Sequence, residues 1–168
     1  MNRYTVAVLV RNQFGVLNRV TSMFRRRQFN ISALTVSETE TSELSRITVV
    51  FSGEEASKQQ LVNQLYKLPD VCSIKEFNDT NSISCELLLI KMKNELDSRE
   101  EIKSAADAFG AVTVDYSKDC MTFRLTDSSA RIDDFINLMR DYTILEICRT
   151  GSVSLEKGST TIRQIVNL

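Results

Sequence analysis

The chain has 168 residues and a formal net charge of -1, room for one medium domain or two small ones. With 42% hydrophobic and 26% charged residues the composition excludes disordered and fibrous classes, and the near-neutral balance argues against a partner held by nucleic-acid phosphates. No apolar run approaches the roughly 20 residues that span a bilayer, and no apolar segment with a small-residue cleavage site follows Met1, so a cytoplasmic protein without a membrane partner is expected.

Tyr4 to Val10 is rich in Val and Leu and predicts a strand. The loop Arg11-Asn12-Gln13-Phe14 follows, and Gly15 opens a helix with Leu17, Val20 and Phe24 at i, i+3 and i+7. Arg25, Arg26 and Arg27 close that helix, where cations suit the negative end of the dipole. Asn30 to Ser37 alternates Ile31, Ala33 and Thr35 against Ser32, Leu34 and Val36, a second strand. Glu38-Thr39-Glu40-Thr41 is a polar turn, and Leu44 to Phe51 is a third strand, which Gly53 breaks. A helix from about Glu54 to Leu68 carries Leu61, Leu65 and Leu68 on one stripe and stops at Pro69, the only proline. Val71 to Phe77 completes the order β-α-β-β-α-β.

Asn78-Asp79-Thr80-Asn81 is a polar break and the expected domain boundary, giving units 1–77 and 78–168. The same order then repeats. Ile83 to Met92 is a strand, and Ser98 with Glu101 predicts a capping box for a helix carrying Ile102, Ala105, Ala106 and Phe109. Gly110 suits the position just past that helix. Ala111 to Asp115 and Cys120 to Leu125 form a hairpin; Asp127 or Ser128 caps a helix with Ile132, Phe135, Ile136 and Met139 on one face; Ile144 to Arg149 is the last strand. From Gly151 onward a tail containing Ile162, Ile165, Val166 and Leu168 either pairs with something or frays. The fold class is therefore α+β, two ferredoxin-like βαββαβ units of about 70–75 residues, each with only a modest core of its own. The first strand is apolar on both faces, with Tyr4, Val6, Val8 and Val10 on one and Ala7 and Leu9 on the other. The face away from the helices is expected to lie under another subunit or the second unit, and a homodimer is expected.

Absences narrow the chemistry. With no histidine there is no imidazole base and no His-based triad. Among five glycines there is no P-loop and no GxGxxG. The four cysteines, Cys72, Cys85, Cys120 and Cys148, are widely spaced and read as small core residues or free thiols, not as a metal site. The adjacent acids Glu54-Glu55 and Asp133-Asp134 read as solvated charge on outer helix faces. No catalytic residue is expected.

The informative stretch is Asn12-Gln13-Phe14-Gly15-Val16-Leu17-Asn18-Arg19-Val20, a strand-to-helix loop. The free N–H groups and positive dipole end of a helix start suit a small carboxylate. Gly15 lets a ligand approach the backbone, and Asn12 offers a donor and an acceptor to the two ends of an α-amino acid. On these residues alone an ordinary helix start with a turn Asn is the favoured reading, and a ligand site the alternative.

The pattern N-x-x-G-x-L-x-R in a βαββαβ unit resembles the ACT domain, a fold associated with amino-acid-responsive regulation. Four stretches extend the resemblance: Asn12 to Val20, Phe29 to Val36, Leu44 to Thr48, and Gln64 to Leu68 followed by Asp70-Val71. With Glu86 to Lys91 and Arg149-Thr150-Gly151, they make nearly the whole chain similar to the small subunit of acetolactate synthase (acetohydroxyacid synthase). The resemblance implies a first unit that is an ACT domain, dimerising side by side, and a second, C-terminal domain that helps contact a large catalytic subunit. It implies an effector, valine, leucine or isoleucine, contacted by Asn12, Gly15, Val16 and Leu17 of one protomer and by Asn30, Ile31 and Thr35 of the other. It implies activation and feedback inhibition of the large subunit, to which thiamine diphosphate, Mg²⁺ and FAD belong, with no cofactor in this chain. The alternative is a free-standing ACT-type sensor acting on another partner. One position departs from the pattern: Gln28 stands where relatives often carry Gly, which is the easier residue in a left-handed helix end.

Overall fold

The computed structural model describes residues 2–78 and 80–164. Contacts divide the chain into two units, with the divisions between Ser84 and Cys85 and between Ser152 and Val153.

In the first unit β1 (Asn2–Arg11), α1 (Val16–Arg26), β2 (Asn30–Glu38), β3 (Leu44–Gly53), α2 (Glu55–Leu65) and β4 (Val71–Phe77) form a four-stranded antiparallel sheet in the order β2-β3-β1-β4. The central strands alternate as expected. Val6, Val8 and Val10 of β1 and Ile47, Val49 and Phe51 of β3 pack with Val16, Val20 and Phe24 of α1 and with Leu61, Val62 and Leu65 of α2. That one-faced packing, rather than helix propensity, is what stabilises helices of this length. The second helix ends at Leu65, three residues earlier than expected, as i→i−3 bonds Lys67 N to Gln64 O and Leu68 N to Leu65 O tighten the chain before Pro69. Gly53 is the last residue of β3 and not a break in it.

In the second unit β5 (Ser82–Lys93), α3 (Arg99–Phe109), β6 (Val112–Tyr116), β7 (Cys120–Asp127), α4 (Ser129–Met139) and β8 (Ile144–Arg149) repeat the plan in the order β6-β7-β5-β8. Its core joins Leu88, Ile90, Met92, Phe123 and Leu125 to Ile102, Ala106, Ile132, Phe135 and Met139. Ser128 caps α4, accepting from Arg131 N. The capping box expected at α3 does not form: the Ser98 side chain makes no cap hydrogen bond, and the Glu101 carboxylate takes the Tyr142 hydroxyl instead. The cysteines are free, and none is in a core; Cys72, Cys85 and Cys148 are exposed.

The tail departs most from expectation. Residues 78–168 were expected to form the second unit, yet from Val153 the chain counts with the first. The polar break around Asn78 is a turn inside the first unit, where Asn78 Oδ1 accepts from Asn81 N. Beyond it comes β9 (Val153–Glu156), whose Ser154 Oγ lies 2.7 Å from Oγ of Ser84, the last residue of the first unit before the division, and a single 3₁₀ turn covers Ile162–Gln164. This segment lies on the face of the first sheet that the helices leave bare. Arg46 donates to Ser154 O, Lys75 Nζ pairs with Glu156 at 2.7 Å, and Ser73 Oγ donates to Ile162 O at 2.7 Å. Ala7 and Leu9 are accordingly 0% and 3% exposed; of the two covers expected, another subunit or the second unit, the chain supplies the tail, which the expected boundary had counted with the second unit and which belongs with the first. The physical reason is that an apolar sheet face takes the nearest segment able to cover it and satisfy its polar groups. Ile165, Val166 and Leu168 lie outside the described residues.

Candidate effector site

Helix α1 starts without a side-chain cap. Its N-cap is Gly15 at φ 81, a left-handed conformation that an L side chain adopts only under strain. Gln13 N bonds Arg11 O and Val16 N bonds Gln13 O, curling the loop back on itself. Arg19 N then takes Gly15 O, the first regular helical bond. Among the described residues no hydrogen bond is found for the backbone N–H groups of Phe14, Gly15, Leu17 or Asn18, the donors that a helix start leaves for an anion.

Asn12 is tied to the hairpin between β2 and β3. Its N–H donates to Glu43 O at 2.7 Å, and its Nδ2 donates to Ser42 O at 2.9 Å and to Glu38 Oε1 at 3.1 Å. Both side-chain N–H bonds are thus used inside the chain, so toward a ligand Asn12 is an acceptor. The sequence left open whether this amide would meet an ammonium or a carboxylate; with both N–H groups engaged, its remaining free function is the Oδ1 acceptor. Val16 is 4% exposed and belongs to the core, so it offers backbone only, whereas Leu17 is 41% exposed and Phe14 fully so.

The remaining expected residues lie on β2, and the structure separates them. Asn30 pairs with Ser52 at one end of the strand, Thr35 pairs with Thr48 mid-strand, and Glu38, the partner of Asn12, pairs with Ser45 at the other end. At roughly 3.3 Å per residue, Asn30 and Ile31 are more than about 20 Å from the Asn12 end. One chain therefore brings together Asn12, Gly15, Val16 and Leu17 but not Asn30 and Ile31. β2 is a sheet edge, and it carries the exposed apolar side chains Leu34 and Val36.

Gln28 is the one non-glycine residue with positive φ among those described, at 57°. It closes α1 in a Schellman turn: Gln28 N bonds Arg25 O, and Phe29 N bonds Phe24 O. Phe24 and Phe29 both pack edge-on against Phe51, with centroids 5.3 and 5.0 Å away. The helix therefore ends in the left-handed turn that a Gly would give, and β2 starts two residues further on, at Asn30.

Sequence reasoning missed the residues that hold the loop from behind. Asp70, 8% exposed, accepts from Arg19 through Oδ2 and from Arg11 N through its carbonyl. Glu38, Ser42 and Glu43 hold Asn12. Both Arg19 and Asp70 stand in stretches that carried the family resemblance, and that was the only signal for the pair.

A βαββαβ unit with an uncapped, glycine-led helix start beside an exposed sheet edge, followed by a second unit of the same plan, defines a two-unit protein of the ACT-domain class. Residues 6–73 match the model of the AHAS small subunit-like ACT domain, and residues 85–158 match that of the small subunit of acetolactate synthase. The chain is 40% identical to the probable acetolactate synthase small subunit of Archaeoglobus fulgidus, over 94% of this chain and 98% of that protein. It is 39% identical to the acetolactate synthase small subunit of Mycolicibacterium smegmatis, over 92% and 91%. The crystal structure of the Thermotoga maritima acetolactate synthase small subunit is similar at a TM-score of 0.86 and 31% identity, covering 95% of this chain and all of that one. This chain belongs to the acetolactate synthase small subunit family.

Proposed function

We propose that the chain is the regulatory subunit of an acetolactate synthase in the synthesis of valine, leucine and isoleucine, and that two copies bind one of these amino acids between their first units. Effector occupancy then sets the rate of a large catalytic subunit, which carries the thiamine diphosphate, Mg²⁺ and FAD; this chain contributes no catalytic group.

The observation that supports this reading is that Asn30 and Glu38, the latter bonded to Asn12, stand at opposite ends of the edge strand β2. A two-fold axis passing near Leu34 pairs β2 antiparallel with its own copy. Glu38, with Asn12 beside it, then lies opposite Asn30 of the partner, and Leu34 and Val36 become covered. Asn12 accepts from the ammonium, the N–H groups at Gly15 and Leu17 take the carboxylate, and Leu17 with the partner's Ile31 surrounds a branched side chain. Thr35 lies close to the axis. One methylene more or less changes affinity by only about 1 kcal/mol, so all three amino acids are candidates.

The test is a titration of the chain reconstituted with its large subunit, reading acetolactate formation against valine, leucine and isoleucine. The expected result is activation by the chain and saturable inhibition by at least one of the three. A rate that none of them changes, or acetolactate formed by the purified chain alone, overturns the reading. Failure to capture a large synthase subunit favours a free-standing sensor.

A further inference from the structure

The hairpin that holds Asn12 on one side is held on its other side by the end of the tail. Arg163, 38% exposed at its side chain, places Nη2 3.2 Å from Glu40 Oε1 and 3.4 Å from Thr39 Oγ1, and the same group donates to Thr41 Oγ1. The hairpin is itself a closed turn. Thr39 N bonds Leu44 O and Leu44 N bonds Thr41 O, each at 3.0 Å, and Thr39 Oγ1 also bonds Thr41 O at 3.0 Å. Glu43 O, Ser42 O and Glu38 Oε1 on this turn are the three acceptors that fix Asn12. The tail is anchored upstream of Arg163 by Ser73 Oγ on Ile162 O and by Lys75 on Glu156. A continuous set of hydrogen bonds within the first unit therefore runs from the back of the sheet through Arg163 and the turn to the amide of the effector loop.

We infer that Arg163 is a positioning residue of the effector site, clasping the 39–44 turn so that Asn12 presents its acceptor at a fixed place. This rests on the effector reading above. It assigns the tail a role that the expected pattern of site residues does not contain. A turn held by two hydroxyls and a carboxylate on one guanidinium has fewer orientations than a free hairpin, and a binding group held in one orientation loses less entropy on capture. The contact is half-exposed, so its contribution is modest and is weakened by salt.

The experiment uses the full chain with its large subunit. Arg163→Ala is expected to raise the half-inhibiting concentration of the effector (valine, leucine and isoleucine each being tried) about three- to fivefold. The uninhibited rate and the extent of inhibition at saturation stay unchanged. Arg163→Lys recovers part of the loss, because an ammonium still pairs with Glu40. The gap between wild type and Arg163→Ala narrows on going from low to high salt. Hydrogen exchange provides an arm independent of any effector: the Asn12 amide, bonded to Glu43 O, exchanges about threefold faster in Arg163→Ala. Unchanged exchange at Asn12, or an unchanged half-inhibiting concentration at low salt, overturns the inference. Faster exchange in a protein whose wild type answers to none of the three amino acids leaves the clasp standing and overturns the effector reading instead.

Discussion

Arg19 reaches from α1 to Asp70 at the start of β4, placing Nε and Nη2 2.8 and 2.7 Å from the same carboxylate oxygen, Oδ2. Because the Asp70 carbonyl also accepts from Arg11 N at 2.9 Å, this one residue anchors both flanks of the effector loop. Asp70→Asn keeps the shape and removes the charge from a side chain that is 12% exposed. Urea denaturation is expected to show a loss of about 1–2 kcal/mol, the low value reflecting a half-exposed guanidinium. An unchanged midpoint would mean that the loop is held by the backbone alone.

Gln28 offers a gain. Its φ of 57° imposes on a glutamine the conformation that Gly110, at φ 74, supplies in the same turn after α3 of the second unit. Gln28→Gly removes a left-handed penalty of roughly 1–2 kcal/mol but restores freedom to the unfolded chain. The expected net result is a stabilisation of about 0.5–1 kcal/mol, read as a higher urea midpoint at constant m. A lower midpoint would show that the Gln side chain contributes more than its backbone strain removes.

These two residues mark what the sequence revealed and what it did not. Helices and strands were legible because each buries one face, and periods of two and 3.6 write that face into Val6-Val8-Val10 or Ile132-Phe135-Ile136-Met139. The repeat was legible for the same reason. The loop at Asn12 was visible as a helix start with a glycine, yet the residues that hold it are far off in sequence, from Glu38, 26 positions after Asn12, to Asp70, 59 positions after Arg11, and have no periodicity to betray them. The tail was illegible because a short alternating segment such as Val153–Glu156 fits any bare sheet face, and only the folded chain shows which one it takes. Ser98 and Glu101 had the spacing of a capping box, but Tyr142, 41 positions from Glu101, competes for the carboxylate.

The acid and alkaline limits of the first unit should follow Lys58. Its ammonium, on a side chain 10% exposed, lies 2.6 Å from Glu55, 2.5 Å from Glu76 and 5.0 Å from the Tyr4 ring centroid. Burial alone pushes the Lys58 pKa down, but the two carboxylates more than offset it and leave it raised. Hydrogen bonds from Lys58 and then Tyr4 hold the Glu55 carboxyl below its usual range. A lowered carboxyl stabilises the fold above its unfolded pKa of about 4.3 and loses that contribution as pH falls through the folded value. A raised ammonium stabilises below about 10.4 and loses that contribution as pH rises through its folded value. Lys58→Met should therefore be less stable than wild type at neutral pH. The gap should narrow below about pH 4 and again above about pH 10.5 in denaturation curves across pH. A gap constant from pH 3 to 8 would count against the pairing.

Ligand-induced stabilisation separates the effector loop from the fold. Branched-chain amino acids are expected to raise the melting temperature of the wild type, as any ligand of the folded state does. Asn12→Ala removes the acceptor and two hydrogen bonds to the turn, and should abolish the shift while lowering stability by about 1 kcal/mol. Gly15→Ala forces φ 81 on an L residue and brings a Cβ to 3.4 Å from Arg19 Nη1. It should also abolish the shift, with a loss of roughly 1–2 kcal/mol. A shift retained in both variants, measured by scanning fluorimetry at saturating ligand, would place the amino acid elsewhere.

Gly53 is required by an aromatic ring. Asn30 pairs with Ser52, which carries Phe29 over the end of β3, and a Cβ on residue 53 would stand 2.4 Å from Phe29 Cε1. Phe29 cannot easily give way, because its ring packs edge-on against Phe51, itself fully buried in the core against Phe24 of α1. Gly53→Ala should therefore push Phe29 off Phe51 and destabilise the chain by about 1–3 kcal/mol, as overpacking does. The displacement would also move the Schellman turn at Gln28 and the first residues of β2, which include Asn30 and Ile31. The expected signature is a lower urea midpoint together with weakened effector stabilisation. A destabilised variant whose effector response is fully retained would show that Phe29 supports the core but not the position of Asn30.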